Sequence, residues 1–209
     1  MVDTQKYPTS RQTGLANELA AVAERLCCST VQVLSGKGGV GSGVIWHPDG
    51  LIITNAHVAS GSRATIKLLD GRVFEAAVTI RDPVCDLAAL KIEAVDLPVA
   101  NVGDSDALRI GELVLAIGNP LGLFGALTTG IISRNGFIEA STSQRWVMAD
   151  VRLSPGNSGG PLADAQGRVI GINSMIVGGL ALAVPSNAVE SFLRCSEQKR
   201  KGTSEAEAV

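Results

Sequence analysis

Between residues 29 and 185 the chain is broken into short apolar or alternating runs, each closed by Gly, Pro, Asn or Asp. They fall at 29–34, 43–46, 51–54, 64–69, 72–80, 87–92, 112–117, 125–133, 146–150, 169–176 and 180–184, lengths that suit strands and are too short for helices. Asp70-Gly71, between two of them, is a hairpin signal, because a two-residue turn needs left-handed backbone that Asp tolerates and Gly adopts freely. A succession of strands without helices between them argues for barrels or a sandwich over a parallel α/β sheet. The core is built mainly from Val, Ile, Leu and Ala, since 45% of residues are hydrophobic and only 3% aromatic. Helical spacing is confined to the two ends. Leu15, Leu19, Val22, Ala23 and Leu26 mark an amphipathic helix within 11–28, and Ser186 or Asn187 caps a final helix that presents Val189, Phe192 and Leu193. The segment 94–110, with Pro98 and several acids, joins two halves.

The chemistry centres on Arg152-Leu-Ser-Pro-Gly-Asn-Ser-Gly-Gly-Pro-Leu162. Glycines and small residues surround one hydroxyl there, so the chain bends sharply, crowds its N–H groups together and uncovers Ser158, as a nucleophile and an oxyanion hole both require. The spacing also satisfies G-x-S-x-G, the nucleophile elbow of lipase-like hydrolases, in which the catalytic acid and His follow the serine. The chain has two histidines, His47 and His57, and both precede Ser158, so that reading fails. An order of His, Asp, Ser remains. His57 ends the apolar run Leu51-Ile-Ile-Thr-Asn-Ala-His, and Asp86 stands just before Leu87-Ala-Ala-Leu-Lys-Ile92. A partly buried carboxylate in that place would hold the imidazole in one tautomer and stabilise the imidazolium. His47, in Trp46-His-Pro-Asp-Gly50, is a turn residue.

With Pro155-Gly-Asn-Ser-Gly-Gly-Pro161, these segments resemble the chymotrypsin-type serine peptidases. Gly41-Ser-Gly-Val-Ile, His47-Pro-Asp-Gly-Leu-Ile-Ile-Thr-Asn-Ala-His-Val, Val102-Gly-Asp-Ser-Asp-Ala-Leu-Arg-Ile-Gly-Glu, Val114-Leu-Ala-Ile-Gly-Asn-Pro-Leu-Gly, Val169-Ile-Gly-Ile-Asn-Ser and Ala183-Val-Pro-Ser-Asn narrow the resemblance to the protease domain of the HtrA/DegP family, from about residue 15 to residue 195. The resemblance implies a mainly β fold of two packed antiparallel six-stranded Greek-key barrels with short N-terminal and C-terminal helices. It divides the chain into a flexible arm (1–10), a protease domain (11–197) and a disordered tail (198–209). Within the domain the N-terminal barrel covers about 29–100, the C-terminal barrel about 108–185 and the terminal helix 186–197.

It implies a serine endopeptidase with His57, Asp86 and Ser158 as catalytic triad, and Gly156 and Ser158 as backbone oxyanion donors. Other acids after His57 do not suit: Asp70 is in a turn, and Asp96, Asp104 and Asp106 lie in the connector. Asn173, Ser174 and Met175 would pair with an extended substrate. Ile176, Val177 and Leu180 would line a first pocket for small or medium aliphatic residues. Arg152 stands where trypsin-like enzymes carry an acid, which argues against cleavage after Lys or Arg, and Ala181, where the family usually has Gly, narrows the pocket. The alternative is a latent protease-fold module that binds extended polypeptides until a partner orders loops near 120–127 and 135–145. A trimer would follow the family, though Tyr7 is the sole aromatic of the arm. Little chain follows the last predicted helix, where the family usually continues into a PDZ domain.

Other functions fit less well. Ser35-Gly-Lys-Gly-Gly-Val-Gly-Ser-Gly43 looks like a lysine-first P-loop, but Ser42 replaces the phosphate-binding lysine, Gly43 replaces the magnesium-binding hydroxyl, and a strand follows. It reads as a hairpin. A formal charge of −2 with scattered basic residues leaves no footprint for nucleic acid. No metal or cofactor is implied, as the four cysteines lack zinc spacing and read as reduced thiols. No apolar run approaches the ~20 residues that span a bilayer and no leader is evident, so the reading favours the cytoplasm and no membrane partner.

Overall fold

The computed structural model describes residues 14–36, 39–137 and 144–206. The 1–10 arm, with Tyr7, lies outside them, as do 138–143 of the 135–145 loop. A helix, α1 (Gly14–Ser29), leads into β1 (Thr30–Ser35), β2 (Val40–His47), β3 (Leu51–Thr54), β4 (Arg63–Lys67), β5 (Val73–Asp82) and β6 (Leu87–Lys91). These six strands close an antiparallel barrel in the order β1-β2-β3-β6-β5-β4. The P-loop-like segment is the β1–β2 hairpin connection, with Ser35 N–H on the Gly39 carbonyl at 2.9 Å. Asp70-Gly71 turns β4 into β5 as the sequence predicts, and the Asp70 side chain accepts from Arg72 N–H.

The connector holds β7 (Asn101–Val102) and one 3₁₀ turn, Ser105–Ala107. The second barrel follows with β8 (Leu113–Gly118), β9 (Ala126–Phe137), β10 (Arg145–Asp150), β11 (Pro161–Asp164), β12 (Arg168–Val177) and β13 (Leu180–Pro185). Its order is β11-β8-β9-β10-β13-β12, closed by β11 on β12, with β7 added in parallel to β12. β7 escaped the sequence reading because a run of two residues carries no periodicity, and β11, Pro161-Leu-Ala-Asp164, because it opens on the proline of the serine motif and has two apolar residues after it. The last helix, α2, starts at Ser186, whose hydroxyl donates to the Gly103 carbonyl at 2.8 Å. It corrects the expected boundary at 197 by running to Ala206. Glu197-Gln-Lys-Arg-Lys201 are all good helix formers, so helix continues past the last apolar residue.

Two strands show why the barrels pack. Leu87 to Leu90 of β6 and Val114 to Ile117 of β8 are buried at every position. Alternate residues of a strand face opposite ways. Ala88 and Leu90 fill the first barrel with Val31, Ile45 and Ile66, while Leu87 and Ala89 face the second. Likewise Val114 and Ala116 fill the second barrel with Ile132 and Val147, while Leu115 and Ile117 join the seam with Val44, Ile53, Ile172 and Val184. Val22 and Leu26 of α1 and Val189 of α2 seal its ends.

Leu115→Ala opens a cavity in this seam and should cost about 2–5 kcal/mol, whereas Val84→Ala, at a side chain 80% exposed, should stay within about 0.5 kcal/mol of wild type. Urea unfolding midpoints of the two variants check this.

Candidate active site

The first barrel presents the imidazole and its carboxylate. After β3 the chain makes one helical turn, Val58 and Ala59 N–H groups donating to the Asn55 carbonyl, and His57 stands exposed on it. Asp86 ends the turn between β5 and β6 with φ +51°, a left-handed conformation that Asp tolerates better than most residues. Asn55 Nδ2 binds the Asp86 carbonyl at 2.9 Å and fixes that backbone. The carboxylate meets His57 Nδ1 at 2.9 Å from both oxygens and accepts the His57 N–H at 3.2 Å. Its Oδ2 also accepts from Ser174 Oγ, on β12 of the other barrel, at 2.5 Å. Arg81 Nε on the Ala56 carbonyl and Gln144 Nε2 on the Cys85 carbonyl brace the two turns from behind.

Burial pushes the Asp86 pKa up, but the hydrogen bonds from His57 and Ser174 outweigh it and hold the carboxyl below its ordinary value. Asp86 is therefore ionised at neutral pH. Its bond to Nδ1 fixes the tautomer that carries the proton there and leaves Nε2 as an acceptor.

The second barrel presents the hydroxyl. Gly156 adopts φ +104° and Gly159 φ +85° in the turn before β11. A Cβ on Gly159 would lie 2.0 Å from the Ser42 carbonyl oxygen and 2.2 Å from Thr54 Oγ1, so the turn touches the first barrel backbone to backbone. The Gly156 and Ser158 N–H groups, the two expected oxyanion donors, bind no other group among the described residues. Ser158 Oγ donates to the Ser174 carbonyl at 2.9 Å. The structure thus couples His57 to Asp86 directly and ties Ser158 to the same centre through Ser174, whose hydroxyl holds Asp86 and whose carbonyl holds Ser158.

Ser174 can do both because of a β-bulge. The β12–β13 register passes from Asn173↔Ala183 to Met175↔Leu182 and leaves Ser174 out. Beyond it Met175, Ile176 and Val177 pair with β13 on one side, are exposed, and have no described strand on the other. Leu180 is half-buried, and Ala181 is buried against Ala149 and Ile176 in register. Asn173 is a correction. Its N–H donates to the Gly160 carbonyl, its carbonyl accepts from Gly159 N–H, its side chain binds the Pro161 carbonyl, and it is fully buried. It supports the turn that carries Ser158, and its N–H and carbonyl are both engaged there, so the open edge begins at Ser174.

Several contributors escaped the sequence reading. Ser42, Asn55 and Asn119 are buried polar residues that bind the turns around 86 and 156–158, and the buried Thr54 donates to the Ser42 carbonyl. Ser42 and Asn119 lie in motifs that carry the family resemblance, but short polar side chains inside apolar runs give no periodic signal. His47 lies in its turn, 62% exposed and 3.0 Å from Asp49, away from this centre.

Residues 41–172 match the family described as trypsin-like peptidase domain. The chain belongs to that family. It is 43% identical over 162 residues to the putative serine protease HhoB of Synechocystis sp., covering 73% of this chain and 39% of that protein. It is 42% identical over 165 residues to the probable periplasmic serine endoprotease DegP-like of Marinomonas sp. (75% and 35% covered), and 39% over 173 residues to the mitochondrial serine protease HTRA2 of Drosophila willistoni (78% and 40% covered). Among solved structures it matches the HtrA-type protease AlgW with tripeptide at TM-score 0.79 and 35% identity, over 84% of this chain and 62% of that one. The decapeptide form gives 0.77 and 31%, over 86% and 67%. The HtrA-like protease domain read from the sequence is thereby established, and the chain spans less than half the length of these sequence relatives. Two of those relatives are named for the periplasm and the mitochondrion, so they do not favour the cytoplasm. No described helix is long and apolar enough to cross a membrane.

A carboxyl with a lowered folded-state pKa adds stability that is complete above its unfolded value of ~3.9 and fades as pH falls below it. Asp86→Asn should therefore remove part of the acid limb of the stability curve. Thermal midpoints of wild type and variant between about pH 2 and pH 6 should converge toward low pH.

Proposed function

We propose that the chain is a serine endopeptidase that cleaves extended or unfolded polypeptide segments, with Ser158 as nucleophile, His57 as general base and acid, and Asp86 as the group that orients and charges the His. The observation that carries the reading is the two-oxygen approach of Asp86 to His57 Nδ1 at 2.9 Å, with Ser158 Oγ held on the Ser174 carbonyl of the same centre. Nδ1 is engaged, so Nε2 is the nitrogen left to take a proton.

In this mechanism Ser158 Oγ rotates from the Ser174 carbonyl to His57 Nε2 and attacks the scissile carbonyl carbon. Its proton passes to Nε2, and the carbonyl electron pair moves onto oxygen, which meets the unengaged Gly156 and Ser158 N–H groups. One donor of this kind is worth about 2.7–4 kcal/mol of barrier in another protease. As the C–N bond breaks, Nε2 returns the proton to the leaving amine and an acyl-enzyme remains. Water repeats the sequence, giving its proton to Nε2 and its oxygen to the acyl carbon, and Ser158 recovers its hydrogen. Asp86 stays ionised throughout. No metal or organic cofactor enters any step.

The open β12 edge from Ser174 to Val177 would receive the substrate as an added strand, main chain to main chain, which suits an unfolded chain of almost any sequence. Ile176, Val177 and Leu180 give the first pocket an aliphatic wall, and the exposed Arg152 lends no affinity for Lys or Arg. Cleavage after small or medium aliphatic residues follows. The tripeptide and decapeptide forms of the AlgW neighbour support peptide binding in this fold.

Incubation with a fluorophosphonate should label Ser158 alone, read by mass spectrometry. Ser158→Ala should lose both labelling and casein cleavage while melting within a few degrees of wild type, because the replaced hydroxyl is part of no core. Substantial casein cleavage by that variant would remove Ser158 from the mechanism.

A further inference from the structure

The turn that carries the nucleophile is held bond by bond, except at one peptide. Asn157 N–H donates to the Ser154 carbonyl at 2.9 Å, and the Gly156 carbonyl accepts from Ser42 Oγ at 2.7 Å. The Asn157 carbonyl accepts from Gly160 N–H at 3.0 Å, and the Ser158 carbonyl from Ser42 N–H at 2.8 Å. Gly159 N–H donates to the Asn173 carbonyl at 2.8 Å. Ser158 N–H shares a planar peptide with the anchored Asn157 carbonyl, so its direction is set. Gly156 N–H shares its peptide with the Pro155 carbonyl, which accepts from no group among the described residues. One oxyanion donor therefore sits on an unanchored plane.

That plane is joined to the anchored one at Gly156, where φ is +104°. A glycine enters and leaves such a conformation with little steric resistance. What restrains it is its own carbonyl, and the short bond to that carbonyl comes from Ser42. Among the described residues the only other donor to it is Asn119 N–H at 3.4 Å.

Ser42 lies on β2 of the first barrel and is fully buried. Its hydroxyl accepts from Asn119 N–H at 2.9 Å and from Asn119 Nδ2 at 3.2 Å, while Thr54 Oγ1 donates to its carbonyl at 2.6 Å. A serine hydroxyl offers two acceptor positions and one proton. With both acceptor positions filled, the proton has one destination, the Gly156 carbonyl.

We propose that Ser42 is a positioning residue for the oxyanion hole: its buried hydroxyl, bonded to the Gly156 carbonyl, keeps the Gly156 N–H turned into the cleft. The role rests on the reading of this site as a peptidase. Without the hydroxyl, Gly156 keeps the longer Asn119 contact alone, the Pro155–Gly156 peptide turns over, and the hole loses one of its two donors. Substrate binding along β12 is untouched.

The test compares wild type, Ser42→Ala and Ser42→Cys on a fluorogenic peptide taken from a casein cleavage site, with kcat and KM separated and circular dichroism melts run on the same preparations. Ser42→Ala should lower kcat on the order of 10²-fold, the loss seen when one oxyanion donor is removed, with KM within about threefold of wild type. Ser42→Cys, whose thiol is a weaker donor, should fall between them. A merely structural role would lower the melting temperature and leave kcat per folded molecule unchanged, and that result overturns the proposal. If Ser42→Ala does not fold, Ser42→Cys decides: reduced kcat at unchanged KM supports the role, and wild-type kcat removes it. A wild type that neither cleaves casein nor forms a fluorophosphonate adduct overturns the peptidase reading and this role with it. Turnover by wild type with equal kcat in Ser42→Ala overturns this role alone.

Discussion

The seam between the two barrels is a buried apolar cluster, and the site exists because of it. β6 and β8 are buried on both faces, so each serves its own barrel and the joint between them at once. Groups contributed from opposite sides must then meet to within hydrogen-bonding distance. Ser174 of β12 reaches Asp86 at 2.5 Å, and Ser42 of β2 reaches the carbonyls of Gly156 and Ser158 at 2.7 and 2.8 Å. A close-packed interior built mainly from Val, Ile, Leu and Ala, with Trp46 and Trp146 in the seam, holds those distances.

Burial also sets the electrostatics. Asp86 is only 14% exposed, an environment that would disfavour its charge, and three hydrogen bonds from two barrels restore it. The cost of desolvating the carboxylate is thereby met by partners that also fix its geometry. Its left-handed backbone belongs to the same arrangement. An ordinary extended residue there would not turn both the carboxylate toward His57 and the carbonyl toward Asn55.

Much of this was legible in the sequence. Alternation and turn residues revealed eleven of the strands, helical spacing revealed both helices, and the order of the histidines before Ser158 separated two hydrolase architectures that share a motif. The rest was hidden for identifiable reasons. β7 has two residues, and β11 is hidden behind the proline that ends the serine motif. The family resemblance places Asn173 on the substrate edge, yet the bulge at Ser174 moves the open edge one residue onward. Ser42 and Asn119 sat inside apolar or glycine-rich runs, and a buried hydroxyl announces itself only when its partners, 77 and 114 positions away, are brought beside it.

The division of the site between barrels also bears on how the chain is made. Residues 54–86 contain the imidazole, its carboxylate and the asparagine that steadies them, so the first barrel can complete this pair from its own strands. The Ser158 hydroxyl and both N–H groups proposed as oxyanion donors arrive only with residues 156–158, and the bond from Ser174 to Asp86 comes later still. During synthesis, which delivers the N-terminal unit first, the emerging chain carries a proton acceptor with nothing to activate. Peptide-cleaving competence, under the proposed mechanism, would belong only to a molecule whose two barrels have already closed on each other, beyond the point at which its own unfolded segments would be exposed to it.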